Sequence, residues 1–469
     1  VLYRFLHGET YMHEFHSIVK WLNGYLWGPP LLILLFGTHL FLTFRLRFIQ
    51  RYTFLAIRLS IRNDSDGHGD VSHFGALTTA LAATIGTGNI VGVATAVALG
   101  GPGAVLWCWL TGIFGIATKY SEALLAVKYR VKTSDGTMLG GPMYALQNGL
   151  GMKWLAVLFC IFTSIAAFGI GNMVQANSIS VIVEETFKIS PYITGSLMTL
   201  FVGVVILGGI HSIARVCEKL VPFMAIFYVA GCLIILALNY AHVIPAIELI
   251  FKSAFTPHAA GGGFVGATVI MAARYGIARG LFSNESGLGS APIVAAAAKT
   301  KNPVKQALVS STGTFWDTVV VCAMTGLVLV STVSSNPSSF ENVNGAVLTK
   351  IAFSKIPYIG PVVLTVGLLT FAFSTILGWS YYGERAIEYL FGKISITYYR
   401  ILWVLAVMVG SISSLPLVWD LADTMNALMA LPNLLSLLLL SGVLVAETKK
   451  YLWSDDLEQT AHDEIVSYN

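Results

Sequence analysis

Eleven segments of this chain are apolar over about the 20 residues that a helix needs to cross the hydrocarbon core of a bilayer. Such runs are longer and more continuous than the alternating strands of a membrane barrel. The sequence therefore predicts an all-α polytopic membrane protein with 11 transmembrane helices. The segments are 26–44, 75–99, 104–127, 155–183, 192–210, 220–238, 263–298, 307–333, 362–390, 401–417 and 421–445.

The charge content supports this prediction. Asp, Glu, Lys and Arg make up 11% of the chain, whereas an ordinary soluble domain carries about 25%. Hydrophobic residues make up 55%, so the composition excludes a disordered chain, a secreted disulfide scaffold and a nucleic-acid-binding protein. The five cysteines occur singly, without Cys-x-x-Cys spacing, and are predicted to be apolar packing residues rather than a metal or redox site.

The distribution of basic residues predicts the orientation. If the N-terminus lies outside, the inward loops hold 19 of the 28 Lys and Arg residues and the outward side holds six. Cytoplasmic loops of membrane proteins are enriched in Lys and Arg. We therefore predict a multi-pass protein of the cell membrane with its N-terminus outside and its C-terminus in the cytoplasm. The other three basic residues fall within spans: Lys119, Arg274 and Arg279.

Glycine is concentrated in two places. Seven of the 45 glycines lie in residues 75–103 and eight lie in 261–289. A glycine inside a helix costs about 1 kcal/mol relative to alanine, so the clusters indicate either close helix packing or a break that lines a cavity. The break is favoured because the glycines at 84–89 and 282–289 stand beside hydroxyl and amide side chains, and the second stretch adds the carboxylate of Glu285.

The two broken segments are the second and seventh of the 11 spans. Setting the first span aside leaves two sets of five, each beginning with its broken helix, which predicts an inverted repeat and a transporter. The predicted divisions are an extracellular segment 1–25, a leading helix and basic cytoplasmic loop 26–74, a first repeat 75–240, an extracellular linker 241–262, a second repeat 263–446 and a cytoplasmic tail 447–469. Residues 454–469 are predicted to be solvated.

An unwound helix exposes N–H groups that suit a carboxylate and carbonyl groups that suit a small cation. A site with both suits an amino acid that moves with a cation. The ninth span adds Ser374 and Thr375, whose hydroxyls either complete an oxygen shell for sodium or bond to the carbonyl one turn back. Phe282 and Trp379 are candidates for an aromatic wall around a small side chain.

Further polar residues at membrane depth have two interpretations. Gln175 and Asn177 in the fourth span either contact the pocket or bind neighbouring helices. Glu122 either lies near the cytoplasmic end of its helix or holds backbone N–H groups at a break. Asp317 and Arg279 are intramembrane charges to which the sequence assigns no partner.

Five motifs resemble the alanine/glycine:cation symporter family of bacteria and archaea. They are ALAATIGTGNIVGVATA at 80–96, GGPGA at 100–104, KYSE at 119–122, GGPM at 140–143 and RGLFSNESGLGSAP at 279–292. The similarity covers about residues 21–451. The resemblance implies a fold similar to that of the bacterial leucine transporter, with five-plus-five inverted repeats and one extra leading helix. It also implies sodium-coupled uptake of L-alanine and glycine, with D-alanine as a further candidate substrate.

The resemblance also implies site residues. Sodium would bind backbone oxygens near Ala82 and Ile85, with Ser374 and Thr375. Substrate contacts would come from Thr87, Gly88, Gln175, Asn177, Phe282, Thr375 and Trp379. Structural or gating roles fall to Glu122, Asn284 and Glu285. The implied partners are the amino acid, the sodium ion and the lipid bilayer, with no nucleic acid and no obligatory protein partner.

The alternative functions are a proton-coupled transporter, a channel and an intramembrane enzyme. A proton-coupled amino-acid transporter would use Glu285 or Glu122. A channel would place oxygen rings around an open axis, whereas this site lies between two unlike broken helices. An intramembrane enzyme is not expected, because the chain has no His-x-x-Glu-His or Gly-x-Ser-x-Gly motif. The prediction is therefore a sodium-coupled symporter that works by alternating access and is not an enzyme.

Overall fold

The computed structural model describes residues 2–62, 67–256, 268–335, 345–413, 416–460 and 466–468. The described part is almost entirely helical. Its principal helices are α1 (Leu2–Leu26), α2 (Pro29–Arg45), α3 (Thr53–Ser60), α4 (His73–Thr84), α5 (Gly88–Gly100), α6 (Ala104–Lys128), α7 (Lys153–Phe187), α8 (Pro191–Leu207), α9 (Gly209–Leu238), α10 (Val243–Phe255), α11 (Val269–Asn284), α12 (Pro292–Ala295), α13 (Pro303–Ser334), α14 (Gly345–Ser354), α15 (Ile359–Phe391), α16 (Ser395–Ile412), α17 (Pro416–Leu439) and α18 (Ser441–Thr448).

Short turns and strands complete the described chain. The turns are Ile49–Tyr52, Pro142–Tyr144 continuing through Ala145–Gly149, Tyr240–His242 and Lys449–Trp453. Three short strands, β1 (Val131–Thr133), β2 (Met138–Leu139) and β3 (Val466–Tyr468), form one sheet in the order β2-β1-β3. β1 is antiparallel to β2 and parallel to β3.

Six of the described helices are long and apolar enough to cross a membrane on their own, and two bent pairs bring the number to eight. The bent pairs are residues 14–26 with α2, at 40°, and α4 with α5, at 53°. The predicted polytopic all-α membrane protein is confirmed. This count is lower than the 11 crossings predicted. Two of the predicted crossings that it omits are α6, which is 25 residues long but carries Lys119 and Glu122, and α8, which is 17 residues long.

The core lies around two central helices. α15 packs against α4, α7 and α9, and α6 packs against α11 and α13. Both have a high share of buried small residues and polar side chains, because neighbouring helices rather than lipid surround them. This packing brings the ends of α4 and α11 together in the interior.

The second broken helix differs from the prediction. A helix resuming as far as Ala298 was expected, whereas α12 is one turn long and the chain is irregular on both sides of it. Gly287 and Gly289 have φ of 90° and 87°, which a helix does not accommodate. Beyond α12, residues 298 and 300 bridge to Val71 and His68. The predicted span's beginning, with Gly261, Gly262, Gly263 and Gly266, lies outside the described residues.

The tail is largely exposed where its burial is described, at 454–460, and it also contacts the helical part of the chain. Asn302 Nδ2 donates to the carbonyls of Leu457 and Gln459, at 2.9 and 3.0 Å. Lys305 Nζ lies 3.3 Å from Glu458 Oε2. β3 then pairs with β1. The acidic tail docks because a buried amide and an ammonium at the start of α13, together with an open strand edge, supply partners for it.

Candidate functional site

The first break separates α4 from α5 at Ile85 and Gly86. In a continuous helix the N–H of Gly86 would bond to the carbonyl of Ala82. Here that N–H donates to Asn89 Oδ1 at 2.8 Å. The side chain of Asn89 therefore stabilises the break and releases a main-chain carbonyl at the end of α4.

Two hydroxyls of α15 face the released carbonyls. Ser374 Oγ lies 3.1 Å from the carbonyl oxygen of Ala82, and Thr375 Oγ1 lies 3.4 Å from that of Ile85. The same hydroxyls lie 2.8 and 3.0 Å from the carbonyl of Phe371, one turn back. The structure thus shows the bond to the carbonyl one turn back, and the same hydroxyls also reach the carbonyls at the end of α4. Phe371 adds an oxygen that the sequence did not single out.

The four separations shown among these five oxygens are hydrogen-bond distances between a hydroxyl and a carbonyl. Calcium, an ion of similar radius to sodium, binds oxygens at about 2.4 Å, which places adjacent oxygens roughly 3.4 Å apart. The observed separations of 2.8–3.4 Å fall at or slightly below that value. A small expansion would therefore accommodate a cation coordinated by oxygen alone.

Two glycines of the first break allow close approach of its neighbours. A Cβ on Gly86 would lie 2.6 Å from Thr375 Oγ1 and 3.7 Å from Gln175 Oε1. A Cβ on Gly88 would lie 3.1 Å from the ring of Phe282. The structure thus brings Gly88, Gln175, Phe282 and Thr375 together around one break.

Gln175 presents a free acceptor to this region. Its Nε2 donates to the carbonyl of Ile170 at 3.0 Å. Its Oε1 is buried and has no hydrogen-bond partner among the described residues. Thr87, which is buried, begins the next half-helix beside it. A buried acceptor without a partner costs free energy, which a bound donor such as an ammonium group would recover.

Asn177 lies elsewhere. Its Nδ2 donates to the carbonyl of Ser413 at 2.9 Å and to that of Gly410 at 3.4 Å. These bonds join α7 to the end of α16. Of the two interpretations made from the sequence, the structure shows the contact between helices.

Trp379 is fixed by the second break. Its indole Nε1 donates to Glu285 Oε1 at 2.9 Å, and the side chain is 1% exposed. A Cβ on Gly171 would lie 2.3 Å from Trp379 Cβ, so α7 approaches the indole closely. Phe282, by contrast, is half-buried and packs over Gly88.

The second break begins at Glu285, which has a left-handed φ of 55°. Glu285 Oε2 accepts a 2.5 Å hydrogen bond from Ser290 Oγ. Asn284 Oδ1 accepts from the N–H of Ser286 at 2.9 Å. No cationic side chain within the described ranges forms an ion pair with Glu285, so neutral donors satisfy its carboxylate.

Glu122 holds the same break from α6. Its Oε1 accepts the N–H groups of Gly287 and Gly289, both at 3.0 Å. Asn433 Nδ2 also donates to Oε1, at 2.7 Å. The carboxylate therefore receives main-chain donors that the irregular segment leaves without helical partners. No feature of the local sequence indicated a role for Asn433.

A buried carboxylate connects the two breaks. Asp317 accepts Asn89 Nδ2 at 2.7 Å, Ser283 Oγ at 2.9 Å and Thr318 Oγ1 at 2.7 Å. Asn89 belongs to the first break and Ser283 to the last turn before the second. The available signals were the depth of Asp317 and the position of Asn89 in the glycine-rich motif.

A cavity of about 300 Å³ opens on the other side of Phe282. Cationic side chains from α1 and α11 line it, namely Lys20, Arg274 and Arg279, together with Asp423 of α17. Trp27, between α1 and α2, closes one side by donating to the carbonyl of Asp423 at 3.0 Å. The cavity therefore has charged side chains in its lining, and Phe282 lies between it and Gly88 of the first break.

Comparison with known proteins gives one family over nearly the whole chain. The Sodium:alanine symporter family profile matches residues 12–465. The chain is 53% identical over 445 residues to "Sodium/alanine symporter AgcS" of Methanococcus maripaludis, a match that covers 93% of this chain and 97% of the relative. It is 52% identical over 454 residues to an uncharacterized transporter of Haemophilus influenzae, with 96% and 99% coverage.

A solved structure shares the fold. The crystal structure of MhsT in complex with L-phenylalanine matches with a TM-score of 0.54 and 16% sequence identity. The match covers 83% of this chain and 92% of MhsT. At this identity the likeness concerns the fold alone.

Proposed function

Because the chain belongs to the Sodium:alanine symporter family, we propose that it carries a small neutral amino acid into the cell together with sodium. The observation that carries this proposal is the set of oxygens where α4 ends against α15. It supplies hydroxyl and carbonyl ligands without a carboxylate, which suits a monovalent hard cation.

Sodium binds to the carbonyls of Ala82 and Ile85 and to the side chains of Ser374 and Thr375, with Phe371 adding its carbonyl. The ion replaces the hydrogen bonds that the two hydroxyls now make with these carbonyls. Binding thereby ties the end of α4 to α15. This tie supports coupling, because sodium orders the same break that receives the amino acid.

The amino acid binds beside the sodium ion, with its carboxylate at the first N–H groups of α5, near Thr87 and Gly88. Gln175 Oε1 accepts from its ammonium group, and Thr375 Oγ1 lies next to both ligands. Phe282 and Trp379 limit the volume available to the side chain. L-alanine and glycine meet these limits, as does D-alanine, since the pocket discriminates mainly by size.

Transport follows an alternating-access cycle. The N-terminus lies outside, the C-terminus lies in the cytoplasm, and residues 75–240 and 263–446 form the two inverted repeats. The cavity beyond Phe282 is the outer entrance, and its cationic lining attracts the carboxylate of the amino acid. An inside-negative membrane potential contributes about 2.3 kcal/mol per 100 mV to uptake for each net positive charge carried inward.

Glu122, Asn284 and Glu285 organise the second break rather than carry the coupling ion. Each side chain accepts from main-chain or side-chain donors of this segment, so its hydrogen bonds hold the break open. A proton-coupled mechanism through Glu285 or Glu122 is the competing proposal. Protonation of either carboxylate would weaken these bonds.

Uptake into proteoliposomes tests the proposal. Radiolabelled alanine should accumulate when sodium is higher outside, and an inside-negative potential should increase the accumulation. A proton gradient without sodium should give no accumulation. Accumulation that follows the proton gradient and ignores sodium would contradict the proposed coupling ion.

A further inference from the structure

Lys119 is a buried cation without a hydrogen-bond partner. It lies in α6, and the residue is 4% exposed. Its Nζ makes no hydrogen bond or ion pair within the part of the chain that the structure describes. Burying an unpaired ammonium is expensive, so this position calls for a reason beyond packing.

The ammonium lies at the junction of the two breaks. Lys119 lines an internal cavity with Thr84, the last residue of α4, and Asn284, the last residue of α11. Ser310 of α13 completes its polar lining. The cavity has room for about one water molecule. The stem of Lys119 has four methylene groups, so the ammonium has space and length to move.

Three buried carboxylates lie on the segments that meet near this cavity. Glu122, Glu285 and Asp317 are each at most 4% exposed. Glu122 follows Lys119 by three residues in α6, and Glu285 directly follows the cavity-lining Asn284. Asp317 accepts from Ser283, the residue before Asn284. The hydrogen bonds of the three carboxylates come from uncharged donors. The described interior near the breaks therefore holds more anionic than cationic groups when no ion is bound.

We propose that Lys119 is a tethered counter-cation, which compensates the buried carboxylates after sodium has left and repels sodium while it is bound. The inference rests on the proposed sodium-coupled transport. A symporter must return empty to the outside, and at that step no transported ion offsets the carboxylates. The ammonium offsets them in its place and lowers the barrier to return.

The proposal predicts opposite effects on binding and on turnover. Removing the positive charge should strengthen sodium binding roughly tenfold to twentyfold, the effect of a unit charge about 10 Å away at an effective dielectric constant of about 20. Net uptake should slow at least as much, because it includes the empty return. Exchange of internal for external alanine at saturating sodium should persist, because it omits that step.

The test uses Lys119→Gln and Lys119→Met, with Lys119→Arg as the charge-preserving control. Sodium affinity is measured with purified protein, and net uptake and exchange are measured in the same proteoliposomes. We expect tighter sodium binding and a higher ratio of exchange to net uptake in both neutral variants, with Arg close to wild type. A merely structural role would weaken sodium binding and reduce both fluxes together.

The thermal stability of the Lys119 variants provides a further test. Since the ammonium offsets buried carboxylates, both neutral variants should unfold at a lower temperature than wild type, and added sodium should raise their unfolding temperature by more than it raises that of wild type. A sodium-dependent rise no larger than that of wild type contradicts the proposal. Unchanged sodium affinity in a folded neutral variant also overturns it. If wild-type protein shows no sodium-dependent uptake, the proposed function fails instead, so the two failures are distinct.

Discussion

Asn89 Nδ2 donates a 2.7 Å hydrogen bond to Asp317 Oδ1, and the same side chain accepts the N–H of Gly86 through Oδ1 at 2.8 Å. One amide thus holds the first break open and joins it to α13. Asp317 in turn accepts from Ser283 in the last turn before the second break. A continuous set of buried hydrogen bonds therefore joins the first break to the last turn of α11, just before the second break.

Asn89→Ala should abolish sodium-dependent uptake and lower stability. It leaves Asp317 Oδ1 and the N–H of Gly86 without the hydrogen bonds that Asn89 supplies, and each buried unsatisfied group costs about 1–3 kcal/mol. Asn172→Ala is the matched control, because Asn172 is a buried amide that donates to the carbonyl of Trp403, away from the breaks. The temperature of thermal unfolding should fall in both variants, whereas sodium affinity should fall only in Asn89→Ala. Equal sodium affinity in the two variants would contradict this role for Asn89.

Ser374→Ala and Thr375→Ala should each raise the sodium concentration for half-maximal uptake about tenfold, since losing one ligand worth about 1.4 kcal/mol changes affinity by that factor. Thr370→Ala is the control. Thr370 also lies on α15, but its hydroxyl bonds to the carbonyls of Val366 and Gly367 within its own helix. Sodium titrations of uptake compare the three. If Thr370→Ala raised the half-maximal sodium concentration as much as Ser374→Ala, the assignment of the Ser374 and Thr375 hydroxyls to the ion site would be contradicted.

Trp379→Ala should admit larger amino acids. The indole is buried and held by Glu285, so removing it opens space beside the first break. Trp379→Phe keeps an aromatic ring while losing the hydrogen bond, and it should continue to exclude valine and leucine. Competition with labelled alanine uptake measures both variants. Exclusion of valine by the Ala variant would place Trp379 outside the pocket.

Glu285→Gln and Glu122→Gln separate sodium from proton coupling. An amide oxygen still accepts from Trp379 in the first variant and from the N–H groups of Gly287 and Gly289 in the second. Both variants should retain accumulation driven by sodium, with slower transport. The readout is the ratio of internal to external alanine at a fixed sodium gradient. Loss of concentrative uptake with retained exchange would favour a coupling proton on that carboxylate.

The sequence predicted the helices and the first break well because both follow from local composition. Long apolar runs require helices in lipid, and Gly86 and Gly88 stand beside polar residues that stabilise an opening. The short second half-helix was missed because the irregular backbone at Gly287 and Gly289 is held by Glu122, whose carboxylate accepts their N–H groups from a helix distant in sequence. Glycine content alone does not reveal such a contact.

Contacts between distant segments were the least predictable. Asp317 lies 228 residues from Asn89, and nothing in either local sequence indicates the other. Asn177 faces α16 rather than the break because α7 presents its polar residues to more than one neighbour. The docking of the tail on Asn302 follows equally from tertiary placement.

The most direct test of the account is the position of sodium in a high-resolution structure of the protein with alanine bound. We predict an ion about 2.4 Å from the carbonyl oxygens of Ala82, Ile85 and Phe371 and from the hydroxyls of Ser374 and Thr375. At a sodium concentration that half-saturates wild type, the occupancy of the ion at this position should be much lower in Ser374→Ala. An alanine-bound structure whose sodium lies away from these oxygens, or an equal ion occupancy in Ser374→Ala at that concentration, would contradict the account.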